Sequence, residues 1–126
     1  MSMRTPLAKV RGLGPARSGT EHFWLQRLTA VANIVLVSFL IGLLFALAGA
    51  DYDTVRRTLA KPYIAIPLLL LVLSAVTHMR LGMQTIIEDY VHSEGRKVAA
   101  LMLNTFFAIL VGTTSVFAVL KLSFGA

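Results

Sequence analysis

PYIAIPLLLLVLSAVTHMRLGMQTIIEDY, residues 62–90, holds the information that decides the fold. It opens on a proline suited to the first turn of a helix. It stays apolar through Ile87 apart from a few polar side chains, of which His78 and Arg80 are ionisable, and ends on Glu88, Asp89 and Tyr90. A bilayer tolerates an ionisable group near the middle of such a run only when something pairs with it, so His78 points to function. Eleven residues advance a helix by roughly 1,100°, three turns and about 20°, which puts Asp89 on the His78 face about 16 Å further along, with Tyr90 to one side. Ser74 and Gly82, one turn to either side of His78, predict a cleared strip able to accept a flat macrocycle. A deep imidazole with a polar pair at the mouth of the same helix suggests redox or proton chemistry across a membrane.

Composition supports the membrane. Of 126 residues, 56% are hydrophobic and 14% charged, and the mean hydropathy is +0.75, too apolar for an ordinary soluble domain. Three spans would use most of the chain and leave no room for a separate soluble catalytic module. The net charge of +6 comes from basic residues flanking apolar spans, not from clusters among exposed aromatics, so nucleic acid is not expected as a partner. With no cysteine, the chain offers no disulfide and no thiolate for zinc or iron–sulfur clusters; any such cluster must belong to a partner.

The expected architecture is all-α: a basic tail over 1–20, then a three-helix transmembrane unit over 21–126, with helices at about 24–50, 62–90 and 97–121. Leu28–Ala50 and Val98–Leu120 are each 23 residues without a charge, about 35 Å as helix against a hydrocarbon core of about 30 Å. Trp24 and Arg27 stand at the first span's entrance, where an indole and a snorkelling guanidinium favour the headgroup layer. The segment 51–61 reads as a polar connection. Gly12, Gly14 and Pro15 argue against a long amphipathic helix in the tail.

Arg4, Lys9, Arg11, Arg17, Arg27, Arg96 and Lys97 lie on one side of these spans, and Arg56, Arg57, Lys61 and Lys121 on the other. Seven against four predicts a cytoplasmic N-terminus, with Asp89 and Tyr90 on that side. Small residues recur every fourth position at Gly42, Ala46 and Ala50, and at Ala100, Asn104, Ala108 and Gly112, ridges that permit close helix approach.

A neutral imidazole at the depth of His78 is a good haem-iron ligand; a hydrogen bond to a helix carbonyl or hydroxyl satisfies it equally, and the residues alone leave both open. The other two spans hold no histidine, so two-histidine ligation requires a partner protein. His22 and His92 lie outside the apolar cores and read as solvated. Arg80, about 200° round the helix from His78, needs an acidic, phosphate or propionate partner that this chain does not supply at that depth, so its partner is external or the side chain snorkels toward the surface.

The run His78-Met79-Arg80-Leu81-Gly82-Met83-Gln84-Thr85-Ile86-Ile87-Glu88-Asp89-Tyr90, together with Glu21-His22-Phe23-Trp24-Leu25-Gln26-Arg27-Leu28-Thr29-Ala30, resembles the hydrophobic membrane anchor of succinate dehydrogenase, respiratory complex II, in its alphaproteobacterial form. The resemblance implies a multi-pass protein of the bacterial inner membrane that packs with a companion anchor subunit into a helical bundle. It implies an oxidoreductase subunit of the tricarboxylic acid cycle and electron transport that is not catalytic alone, with flavoprotein and iron–sulfur partners carrying FAD and the clusters. By the same resemblance His78 is an axial ligand of haem b, shared with the companion anchor. Tyr90 donates a hydrogen bond to ubiquinone with Asp89 beside it, and Arg27 lies near the haem propionates. Arg80 departs from the family pattern and Glu88 receives no role. Two alternatives stand beside this: the anchor of a quinol:fumarate reductase, and a small structural or transport subunit whose His78 relays protons or binds a metal.

Overall fold

The structure is a computed structural model and describes residues 5–12 and 18–125. Among these it contains five helices and no strand: α1 (Pro6–Val10), α2 (Ser18–Leu47), α3 (Tyr52–Leu59), α4 (Pro62–Tyr90) and α5 (Glu94–Ser123). Three of them, α2, α4 and α5, are long and apolar enough to cross a membrane. At 30, 29 and 30 residues each reaches about 45 Å, so its ends project past a hydrocarbon core of about 30 Å. Residues 1–4 and 13–17, part of the stretch read as a basic tail, lie outside the described residues.

The first long helix starts at Ser18, six residues before the position expected from hydropathy. Its opening turns are polar and so carry no hydropathy signal, yet nothing in Ser18–Phe23 breaks a helix. The segment read as a polar connection folds into α3. Asp51 precedes it, Asp53 lies in its first turn and Arg56 and Arg57 in its last, an arrangement that opposes the helix dipole at both ends. Gly49, at φ +79°, turns the chain out of α2 in the left-handed region that favours glycine. Pro62 occupies the start of α4, where its missing N–H costs nothing, and Pro67 is accommodated within the helix.

α2 and α5 each pack along α4 and hardly touch one another, while α3 rests against α5 and the start of α4. The three spans thus form an open row with α4 in the middle. Buried side chains are few: Leu43, Ala65, Leu71, Leu81, Ile87 and Ala108, with Thr29 as the buried polar one. Most large apolar side chains face outward, as a lipid surrounding requires.

Of the two small-residue ridges, one is used inside the chain. Ala108 is 2% exposed, and a Cβ added at Gly112 would meet Val76 Cγ1 at 3.4 Å, so α5 lies close on α4. Asn104 on the same ridge donates from Nδ2 to the Arg80 carbonyl at 2.9 Å. The ridge at Gly42 and Ala46 is exposed, and a Cβ at Gly42 would meet nothing within 4 Å. A Gly112→Leu substitution is therefore expected to cost about 1–3 kcal/mol through overpacking, read as a lower melting temperature of the detergent-solubilised assembly. The same change at Gly42 meets no neighbour in this chain, so a loss of stability there would report contact with another one.

Candidate functional site

The site lies in the seam between α2 and α4. On α2 the residues facing this seam recur at the spacing of alternating three and four: His22, Gln26, Thr29, Asn33, Leu36, Leu40, Leu43 and Leu47, all partly or fully buried. This is the spacing of a packed helix stripe. Its first half is polar and its second half is leucine.

Two polar contacts and one close backbone approach hold the polar half against α4. Thr29 Oγ1 lies 3.1 Å from His78 Nδ1. Ser74 Oγ donates to the Thr29 carbonyl at 3.3 Å. A Cβ at Gly82 would meet Gln26 Nε2 at 3.6 Å. The strip of Ser74, His78 and Gly82 expected to clear space for a macrocycle is thus partly taken by α2: Ser74 and Gly82 serve the helix–helix approach, and only the His78 ring reaches the cavity. The ring's Nε2 makes no hydrogen bond among the described residues.

An open cavity of about 440 Å³ is lined by His22, Gln26, Arg27 and Ala30 of α2 and by His78 and Thr85 of α4. Arg27 supplies the formal charge among its lining residues. Its guanidinium sits 4.6 Å from the Phe23 ring centroid, a cation–π contact that holds the side chain at the rim. Arg27 also borders a second cavity, with Trp24, Leu28 and Val31. His22 Nε2, Gln26 Oε1 and, a turn past Thr29, Asn33 Oδ1 are buried without a hydrogen-bond partner. Unpaired buried polar atoms cost about 1–3 kcal/mol each, which marks this seam as a place where a further group belongs.

The structure therefore brings His78 and Arg27 to one cavity. It does not bring Asp89 and Tyr90 there: both are exposed at the end of α4, Tyr90 at 77%, on the side where α2 begins. His92 is exposed, but His22, read from the sequence as solvated, is half-buried with an enclosed Nε2. Arg80 is exposed beside the α4–α5 groove with Thr77 and Thr113. Sequence reasoning misses Thr29, Gln26, His22 and Asn33 as a set, although their spacing along α2 is a signal for them. Among the described residues no three His, Asp or Glu side chains converge as a metal cage.

Comparison with known proteins gives a family. The family model described as succinate dehydrogenase/fumarate reductase transmembrane subunit matches residues 1–112, most of the chain. The chain belongs to that family. Similar proteins include the succinate dehydrogenase hydrophobic membrane anchor subunit of Rickettsia bellii, 32% identical over 85% of this chain and 86% of the relative. The protein of the same name in Paracoccus denitrificans is 29% identical over 97% and 94%. The succinate dehydrogenase membrane anchor subunit of Reclinomonas americana is 35% identical over 74% and 80%. No solved structure gives a significant match. As a member of the succinate dehydrogenase/fumarate reductase transmembrane family, the chain is a multi-pass membrane anchor, a non-catalytic subunit of a multi-subunit oxidoreductase.

The close approach at Gly82 generates a graded prediction. Gly82→Ala places a methyl group at ordinary contact distance from Gln26 and should leave thermal stability nearly unchanged. Gly82→Leu should force α2 from α4 and destabilise the complex by about 1–3 kcal/mol, measured by thermal unfolding of the purified assembly.

Proposed function

We propose that this chain is the anchor of a succinate:ubiquinone oxidoreductase that co-ligates haem b through His78 and completes the ubiquinone-reduction site with Tyr90 and Asp89. The observation that carries the reading is the His78 ring: one nitrogen is engaged by Thr29, the other makes no hydrogen bond among the described residues, and the ring lines an open cavity. One imidazole nitrogen free in this way suits an axial ligand. In this reading a companion anchor subunit would share with His78 in holding the haem. Arg27 at the cavity rim suits an acidic group such as a propionate. Haem b, when bound, supplies a one-electron redox centre within the bilayer.

Reducing a quinone takes two electrons and two protons at a ring that must be held where protons can reach it. The Tyr90 hydroxyl, at the outer end of α4, can donate a hydrogen bond to a quinone carbonyl, and Asp89 beside it can return a proton from water. In this reading, flavin and iron–sulfur partners bound on the same side would supply the electrons from succinate. The family description covers both directions of catalysis, and the relatives' names favour the succinate-oxidising one over a quinol:fumarate reductase. The orientation with this side cytoplasmic rests on the distribution of Lys and Arg.

Two substitutions test the assignment in the purified complex. His78→Ala should abolish the b-type band in a reduced-minus-oxidised spectrum while flavin and iron–sulfur signals persist. Tyr90→Phe should lower succinate:quinone reductase activity on the order of a hundredfold and leave electron transfer from succinate to a soluble dye intact. Normal quinone turnover in Tyr90→Phe would refute the role given to its hydroxyl.

A further inference from the structure

Thr29 is 8% exposed, the one buried polar residue among those described, and its hydroxyl has three neighbours. The Leu25 carbonyl is at 2.7 Å, the Gln26 carbonyl at 3.1 Å and His78 Nδ1 at 3.1 Å. A threonine hydroxyl has one hydrogen to give and lone pairs with which to accept, whereas a carbonyl can only accept. If the hydroxyl gave its hydrogen to Nδ1, its oxygen would stand 2.7 Å from the Leu25 oxygen with no proton between them. The arrangement that leaves no such repulsion sends the Thr29 hydrogen to the Leu25 carbonyl. The Thr29 oxygen then accepts from Nδ1–H of His78.

We propose that Thr29 is the positioning residue for His78: it holds the ring in the tautomer protonated at Nδ1, with the Nε2 lone pair presented to the cavity, and fixes the ring's rotation. The inference rests on the ligand reading of His78 given above. It concerns how that ligand is prepared, a task that neither the family match nor the relatives' names assign to any residue. The anchoring is stiff at both ends. Ser74, one turn before His78, donates to the Thr29 carbonyl, so the turn of α2 that carries the hydroxyl is tied to the turn of α4 that carries the ring. The methyl group of a β-branched side chain in a helix also restricts χ1, which limits where the oxygen can swing.

A histidine that donates from its second nitrogen to an oxygen is a more basic ligand. A more basic ligand stabilises ferric over ferrous iron and keeps the midpoint potential low. Thr29→Val keeps the shape and removes the acceptor; Thr29→Ser keeps the acceptor and removes the methyl group. Both are compared with the parent as complete, detergent-solubilised complexes by haem-to-flavin ratio, redox titration of the b band and low-spin EPR. The expected result is an upward shift of the haem midpoint potential and altered EPR g-values in Thr29→Val, with Thr29→Ser restored toward the parent. Haem lost from Thr29→Val but kept at the parent potential in Thr29→Ser supports the same role. Parent potential and EPR in a haem-replete Thr29→Val would overturn it, as would equal changes in both variants, which indicate packing and not the hydroxyl. Retention of the b band in His78→Ala would remove the ligand reading itself and this inference with it. A failure confined to Thr29→Val leaves that reading standing.

Discussion

Hydrocarbon offers no hydrogen-bond partner, so each polar group carried into the bilayer must find one within protein or with a bound group. Most of the chain satisfies this locally. Ser38, Thr77 and Thr85 bond back to carbonyls four residues earlier, which hides a hydroxyl inside its own helix. The α2–α4 seam is different, because Thr29 serves its own helix and His78 at once. An interhelical bond of this kind is worth about 1 kcal/mol in a membrane. Its larger effect is on register: it sets Thr29 against His78 and thereby aligns Gln26 with Gly82 and the Thr29 carbonyl with Ser74.

The organisation of α4 follows from its position between two neighbours. Its α2 face carries Ser74, His78 and Gly82, and the side toward α5 meets Gly112 through Val76 and Asn104 through the Arg80 carbonyl. Small residues do similar work on both sides, letting backbones approach, but only the α2 side adds an ionisable ring. The open row leaves the outer surfaces of α2 and α5 apolar and exposed, ready for lipid and for the other membrane helices of a succinate dehydrogenase assembly.

Hydropathy makes the three spans legible, and Pro62 and Tyr90 bound the central one as the sequence suggests. It does not reveal α3, whose eight residues are too polar for a span and too short for a persistent pattern. It also places the start of α2 late, because Ser18–Phe23 is helical without being apolar. At the site, His78 stands out by its depth and Arg27 by its place at a span entrance. His22 is misread when weighed alone; set beside Gln26, Thr29 and Asn33 it is the first member of a stripe. Asp89 and Tyr90 gain meaning from the family likeness, since an exposed carboxylate and phenol at a helix end are otherwise ordinary for a membrane interface.

The division of the α2 stripe has an electrical consequence. From His22 to Asn33 the seam offers side chains that can pass or hold a proton; from Leu36 to Leu47 that face of α2 offers leucine alone. A charge entering from the Tyr90 side meets no hydrogen-bonding side chain on this stripe beyond Asn33, and its solvation cost rises from there. The leucine half thus gives a proton no hydrogen-bonded path along this face of α2.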